Sequence, residues 1–148
     1  MQLEYFILID RILDLNTAEK TISVEAQVPQ HSTIFEGHFP GYPLMPGVLL
    51  IEAMAQTSGW LLIGLMKFER MPFLAMAKEA KMRGFVTPGQ LLTIDAKVEH
   101  EGSGFAVTSA TTGGAGAGAT ASAFAAGAGM IVGMLVSKTT RSGHFRSE

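Results

Sequence analysis

The chain contains no cysteine. That excludes a disulfide framework and any zinc site built on thiolates. It also fits a cytoplasmic location, which is the expectation here. Charge is scarce as well: Asp, Glu, Lys and Arg make up 16% of the residues, and the net charge is −2. Such a balance leaves no electrostatic footprint for nucleic acid. The opening stretch, MQLEYFILIDRILDLN, has no basic n-region, no uninterrupted apolar core and no small-residue cleavage site, so a signal peptide is not expected. What the chain does have is apolar surface. Its 148 residues are 47% hydrophobic, which suits a single domain, 1–148, with a sizeable core.

The longest apolar run, Gly47 to Met66, carries one formal charge, Glu52. As a helix this run is about 30 Å long, enough to cross a bilayer. Glu52 and Gln56 in its first half argue against insertion, as does the lack of a Lys/Arg cluster before it. A helix apolar on all sides also suits the core of a soluble domain. A buried helix without membrane insertion is therefore expected.

Around that run the pattern is that of strands. Ile22, Val24, Ala26 and Val28 alternate with Ser23, Glu25 and Gln27, the period of a half-buried strand. With Ile12–Leu15 and the polar turn 16–20 it forms a candidate hairpin. The segment before it, 3–13, is compatible with a short helix or turn. Residues 30–46 hold Gly37, Pro40, Gly41, Pro43 and Pro46 and read as irregular. Pro46 then suits the first helical turn. Gly59 and Gly64 weaken a helix unless backbone packs closely there. Residues 73–82 read as a strand with Leu74, Met76 and Ala80 inward. Residues 91–99 alternate Leu92, Ile94, Ala96 and Val98 with polar partners, after a turn at Pro88 and Gly89. Another strand starts at Phe105.

From 110 to 129 the chain is nine Ala and six Gly in twenty residues. As a flexible linker it would connect only one strand-like run, 130–136, and a polar tail, 137–148. The reading adopted is sheet territory whose letters have been reduced to Ala and Gly. An intact mass and a coding sequence that agree with these letters would refute that reduction. Strands flanking one apolar helix define an α+β fold, with an antiparallel sheet wrapped around a long central helix.

Two ionisable groups lie against this apolar surface. His38, in the loop, has a side chain suited to proton transfer near neutrality. Its plainer reading is a loop histidine bonded to backbone. Glu52 sits about one and a half turns into the helix. A carboxylate in so apolar a segment needs a reason, because an unpaired buried charge is expensive. The plainer readings are an ion pair or a glutamate reaching solvent. Gln56, four residues on, shares its face and either orients Glu52 or satisfies it. The free N–H groups near Gly47 and Val48 carry the positive end of the helix dipole. They suit a developing negative charge on a thioester oxygen. Together these parts point to proton abstraction α to a carbonyl, with an acid to help a leaving group.

The stretch HFPGYPLMPGVLLIEAMAQ, His38 to Gln56, resembles without a gap the signature of the (3R)-hydroxyacyl-[acyl-carrier-protein] dehydratases of the FabZ type, which have the hotdog fold. Weaker similarity runs from Leu3 to Val107 and includes KMRGFVTPG at 81–89. Past Thr111 the family would show two bulky alternating strands, and this chain does not. The resemblance implies that His38 takes the α-proton of a 3-hydroxyacyl thioester and that Glu52 helps the 3-hydroxyl leave as water. The Gly47 N–H would hold the carbonyl. It implies a homodimer with shared sites, a trimer of dimers as a further state, and acyl carrier protein as partner. It implies no metal and no organic cofactor, the substrate being carried on the carrier's phosphopantetheine arm. Glu at position 52, where the FabA-type dehydratase/isomerases carry Asp, favours dehydration without isomerisation. Tyr42 stands where the family commonly has His. Met54, Trp60 and Phe85 are candidate walls of an acyl tunnel, the plainer reading of Met54 and Trp60 being core. Lys67, Arg70, Lys78, Lys81 and Arg83 are candidates for a basic rim facing the acidic carrier. The rival readings are a hotdog thioesterase and a non-catalytic acyl-thioester or lipid-binding hotdog protein.

Overall fold

The computed structural model describes residues 1–82, 84–115 and 128–136. A 3-10 turn at Leu3–Tyr5 leads into strand β1 (Arg11–Asn16) and its antiparallel partner β2 (Thr21–Gln27). A short helix α1 (Thr33–Gly37) and the long helix α2 (Gly47–Leu65) follow. Strands β3 (Pro72–Met82), β4 (Leu91–Gly102), β5 (Phe105–Ala115) and β6 (Ala128–Val136) complete an antiparallel sheet in the order β1-β2-β4-β5-β6-β3.

The alternation read from sequence becomes the inner face of this sheet. Ile22 pairs with Ala96, Val24 with Ile94 and Ala26 with Leu92, and all six are buried. On β5 the inward residues are small: Ala106, Thr108, Ala110 and Thr112. Small side chains let α2 approach, and the Thr108 hydroxyl donates to Ser58 Oγ on the helix at 2.8 Å. The Ala/Gly composition at 110–115 therefore does not prevent pairing. Ala110 and Thr112 lie opposite Met130 and Ala128. The strand read at 130–136 starts two residues earlier, at Ala128. Residues 116–127 and the polar tail lie outside the described residues.

α2 is long and apolar enough to span a membrane by length and composition alone, and half of it is buried inside the protein. The sheet does not cover it all round, however. Val48 is 70% exposed and Trp60 42%, with Glu52, Gln56 and Ile63 half-buried along the same side. Wrapping by the sheet thus accounts for one face of the helix, and a second apolar stripe is left open. Of its two interior glycines, Gly64 meets a close neighbour, a side chain and not the expected backbone: a Cβ there would lie 2.7 Å from Leu15 Cδ2. Gly59 does not, since its nearest neighbour would be at 3.6 Å.

Two further expectations need correction. Residues 30–46 contain a regular element after all. Ser32 caps α1 by accepting from Ile34 N at 3.1 Å, and Glu4 accepts from Ser32 Oγ at 2.7 Å and from Thr33 N at 3.0 Å. These bonds hold the Glu4 carboxyl below its usual range, the Ser32 hydroxyl contributing most. Strand β3, in turn, is not half-buried. Leu74, Met76 and Ala80 are exposed, because β3 is the last strand of the sheet.

Candidate active site

Proline and glycine build the loop that carries His38. Phe39 N donates to Tyr42 O at 3.2 Å and Tyr42 N to Phe39 O at 2.9 Å, closing a turn around Pro40 and Gly41. Gly41 has φ +76°, a backbone conformation that favours glycine. Tyr42 closes the turn through its backbone, while its side chain is 63% exposed at the tip. The departure from the family's common His therefore falls outside the cleft that His38 lines.

Leu44 fixes His38 from two directions. Leu44 N donates to His38 O at 2.9 Å, and the His38 Nδ1 lies 2.9 Å from Leu44 O. A carbonyl oxygen only accepts, so Nδ1 carries the hydrogen. In the neutral ring Nε2 is then the basic nitrogen. The plain reading of His38 and a catalytic one are both compatible with this bond: it satisfies the ring and also would select the tautomer of a base. His38 and Gly47 line one cleft of about 470 Å³ with Leu44, Met45, Met82 and Phe85. Gly47 begins α2, where helix geometry leaves the N–H groups of Gly47 and Val48 without intrahelical acceptors. The start of α2 at Gly47 and the His38 imidazole thus share one cleft, while Val48 does not line it.

Glu52 is elsewhere. It lines a second cleft of about 410 Å³ with Ala55, Gln56, Gly59, Trp60, Phe73, Leu74 and Met134. The two clefts have no lining residue in common. Glu52 Oε1 accepts from Gln56 Nε2 at 3.0 Å. Gln56 Nε2 also donates to Phe6 O at 2.7 Å, and Gln56 Oε1 accepts from Leu8 N at 3.3 Å. Gln56 thereby ties the carboxyl to the N-terminal segment, and its polar atoms are engaged within the chain. These bonds fit the expectation that Gln56 orients or satisfies Glu52. Spacing on the helix made the Gln56–Glu52 pair legible, but the backbone partners at Phe6 and Leu8 gave no local signal.

Gln56→Leu keeps the volume and removes all three bonds. The expected result is a fall in kcat of about ten- to a hundredfold with KM little changed, since a small misplacement of a catalytic group costs rate before binding. Steady-state kinetics beside a melting curve checks this. A loss confined to KM would show that Gln56 holds substrate rather than Glu52.

The other candidates divide. Met54 is fully buried and belongs to the core rather than to a tunnel wall. Trp60 lines the Glu52 cleft and Phe85 the His38 cleft. Lys78 and Lys81 are exposed on β3, Lys81 next to Met82 of the His38 cleft, whereas Lys67 and Arg70 are exposed past the opposite end of α2. Arg83 lies outside the described residues. Among the described residues no group of three His, Asp or Glu side chains is placed to hold a metal ion.

An antiparallel sheet around one long helix defines the class, the hotdog fold. Among solved structures the chain is similar to the dehydratase heterocomplex ApeI:P from Xenorhabdus doucetiae, with TM-score 0.67, 13% identity and coverage of 90% of this chain and 84% of that one. It is also similar to a hypothetical thioesterase protein with coenzyme A from Streptococcus pneumoniae, with TM-score 0.64, 15% identity and coverage of 86% and 84%. Likeness at such identities speaks for the fold alone. Sequence goes further. Residues 1–118 match the FabA-like domain. The chain is 37% identical over 111 residues to the 3-hydroxyacyl-[acyl-carrier-protein] dehydratase FabZ of Fusobacterium nucleatum, covering 72% of this chain and 75% of that protein. It is 41% identical over 95 residues to the FabZ of Pelotomaculum thermopropionicum, covering 64% and 67%. The chain belongs to the FabZ-type dehydratases of the FabA-like family.

Proposed function

We propose that this protein dehydrates (3R)-hydroxyacyl-[acyl-carrier-protein] to the trans-2-enoyl thioester in fatty-acid biosynthesis, at a site shared by two copies of the chain. Its FabZ relatives are named 3-hydroxyacyl-[acyl-carrier-protein] dehydratases, which supports this reading. The observation that carries the shared site is the separation of the clefts. One holds a candidate base with carbonyl-binding donors, the other a candidate acid, and neither is sufficient alone. The open edge of β3 and the uncovered stripe of α2, with Val48 and Trp60, are apolar surfaces that a second copy would cover.

In this reading the thioester carbonyl sits at the Gly47 N–H, where the helix dipole favours charge on its oxygen. His38 Nε2 takes the proton from C2. The C2–H electron pair forms the C2=C3 bond as the C3–O bond breaks. Glu52, with Oε1 held by Gln56, gives its proton to the departing hydroxyl, which leaves as water. His38 then returns its proton to solvent and Glu52 regains one. Acyl carrier protein presents the substrate, Lys78 and Lys81 flank its entry, and no metal or organic cofactor takes part. The location is cytoplasmic. Incubation with a 3-hydroxyacyl carrier thioester tests the activity: the enoyl product is expected, and release of the free acid instead would favour a thioesterase.

A further inference from the structure

We infer that Trp60 sets the length of the acyl chain this site accepts, by narrowing the apolar groove that begins at Glu52. The inference rests on the dehydratase reading, which fixes the direction of the substrate. With the carbonyl at Gly47 and C2 at His38 of one copy and C3 at Glu52 of the other, the remaining carbons continue into the Glu52 cleft of that second copy.

That cleft is built for an alkyl chain. Its helix side is floored by Ala55 and Gly59 and runs on to Ile63 beyond Trp60, and facing walls include Phe73, Leu74 and Met134. Packing does not require glycine at 59. An added Cβ would stand 3.6 Å from Met134 Cε and 3.9 Å from Pro72 Cγ, which are ordinary contact distances. The missing methyl therefore adds depth to the groove instead of relieving a clash. Immediately after this shallow floor comes the largest side chain on the stripe. Trp60 lines the same cleft and is 42% exposed, so its indole is available to an occupant of the groove.

The spacing converts to carbons. Trp60 is eight residues past Glu52, about 12 Å along the helix. Helical side chains lean toward the N-terminus, so the broad indole reaches back toward Glu52. An extended alkyl chain advances about 1.25 Å per carbon, given carbon–carbon bonds of about 1.5 Å. Between C3 and the indole there is room for about seven to nine carbons, which limits the acyl group to about 10 to 12 carbons.

The test is turnover across 3-hydroxyacyl carrier thioesters of about four to about sixteen carbons, with wild type, Trp60→Ala and Trp60→Phe. Wild-type kcat/KM is expected to drop beyond about 12 carbons. Trp60→Ala is expected to raise the ratio of sixteen- to six-carbon kcat/KM by about tenfold or more, because a methylene in an apolar pocket is worth about that much. Trp60→Phe should fall between. Trp60 is also the sole tryptophan, so its emission reports on the groove directly. Long-chain thioesters are expected to shift that emission to the blue and four-carbon ones to leave it unchanged. An unaltered length profile in the variants, or an equal emission response to all lengths, overturns the inference. If wild type forms no enoyl product at any length, the dehydratase reading falls, and the emission arm still decides whether Trp60 bounds the groove.

Discussion

His38→Ala is expected to lower kcat/KM for a 3-hydroxyacyl carrier thioester by about 10³- to 10⁴-fold, the upper part of the range for general acid–base catalysis. That corresponds to about 4–5 kcal/mol of transition-state stabilisation. The size follows from the position of the imidazole. Its Nδ1 is committed to Leu44 O, which leaves Nε2 as the ring nitrogen for the proposed base. Among the described residues, no other side chain lining that cleft can accept a proton at neutral pH, its remaining members being apolar or glycine. A substitute base must then come from water. The fold should survive the change, since His38 is half-buried and its backbone bond from Leu44 N remains. Stopped assays of enoyl formation beside a melting curve check both halves. A variant that melts normally and turns over at the wild-type rate removes His38 from the mechanism.

Glu52→Gln is expected to cost about 10²- to 10³-fold in kcat. The amide has nearly the same shape, and its oxygen can still accept from Gln56 Nε2. What it lacks is a proton acidic enough to give to a leaving hydroxyl. A hydroxyl leaves poorly as hydroxide, so the loss falls on the chemical step and KM should change little. Binding measured with a saturated acyl thioester should be the same for both proteins. A Glu52→Gln enzyme with undiminished kcat would return Glu52 to the plainer role of a half-buried helix glutamate.

Much of this arrangement is legible in the sequence, for identifiable reasons. The period-two alternation at 22–28 and 91–98 is local and strong, so β2 and β4 follow from it directly. Proline at 46 and the apolar run after it mark α2 closely. α1 is not legible, because its stability depends on Glu4, which lies far away in the chain and reaches Ser32 and Thr33 through tertiary structure. The inward assignment on β3 fails for a related reason. Leu74 and Met76 are apolar, as an inward strand residue would be, yet β3 is an edge whose apolar groups are exposed within one chain. Those exposed groups, with Val48 and Trp60, are the surface that the proposed second copy would cover. The separation of His38 from Glu52 is of the same kind: spacing places them fourteen positions apart, and only the folded chain shows that they open into different clefts.

The central claim is that each site takes its base from one copy and its acid from another. It is tested most directly by mixing two inactive enzymes. In a pair made of one His38→Ala chain and one Glu52→Gln chain, one site lacks both groups and the other has both. Co-refolding the two variants in equal amounts gives about half mixed pairs, each with one of two sites intact, so about a quarter of wild-type activity should return. A mixture that stays as inactive as its components, while size analysis shows that mixed pairs have formed, would contradict the shared site.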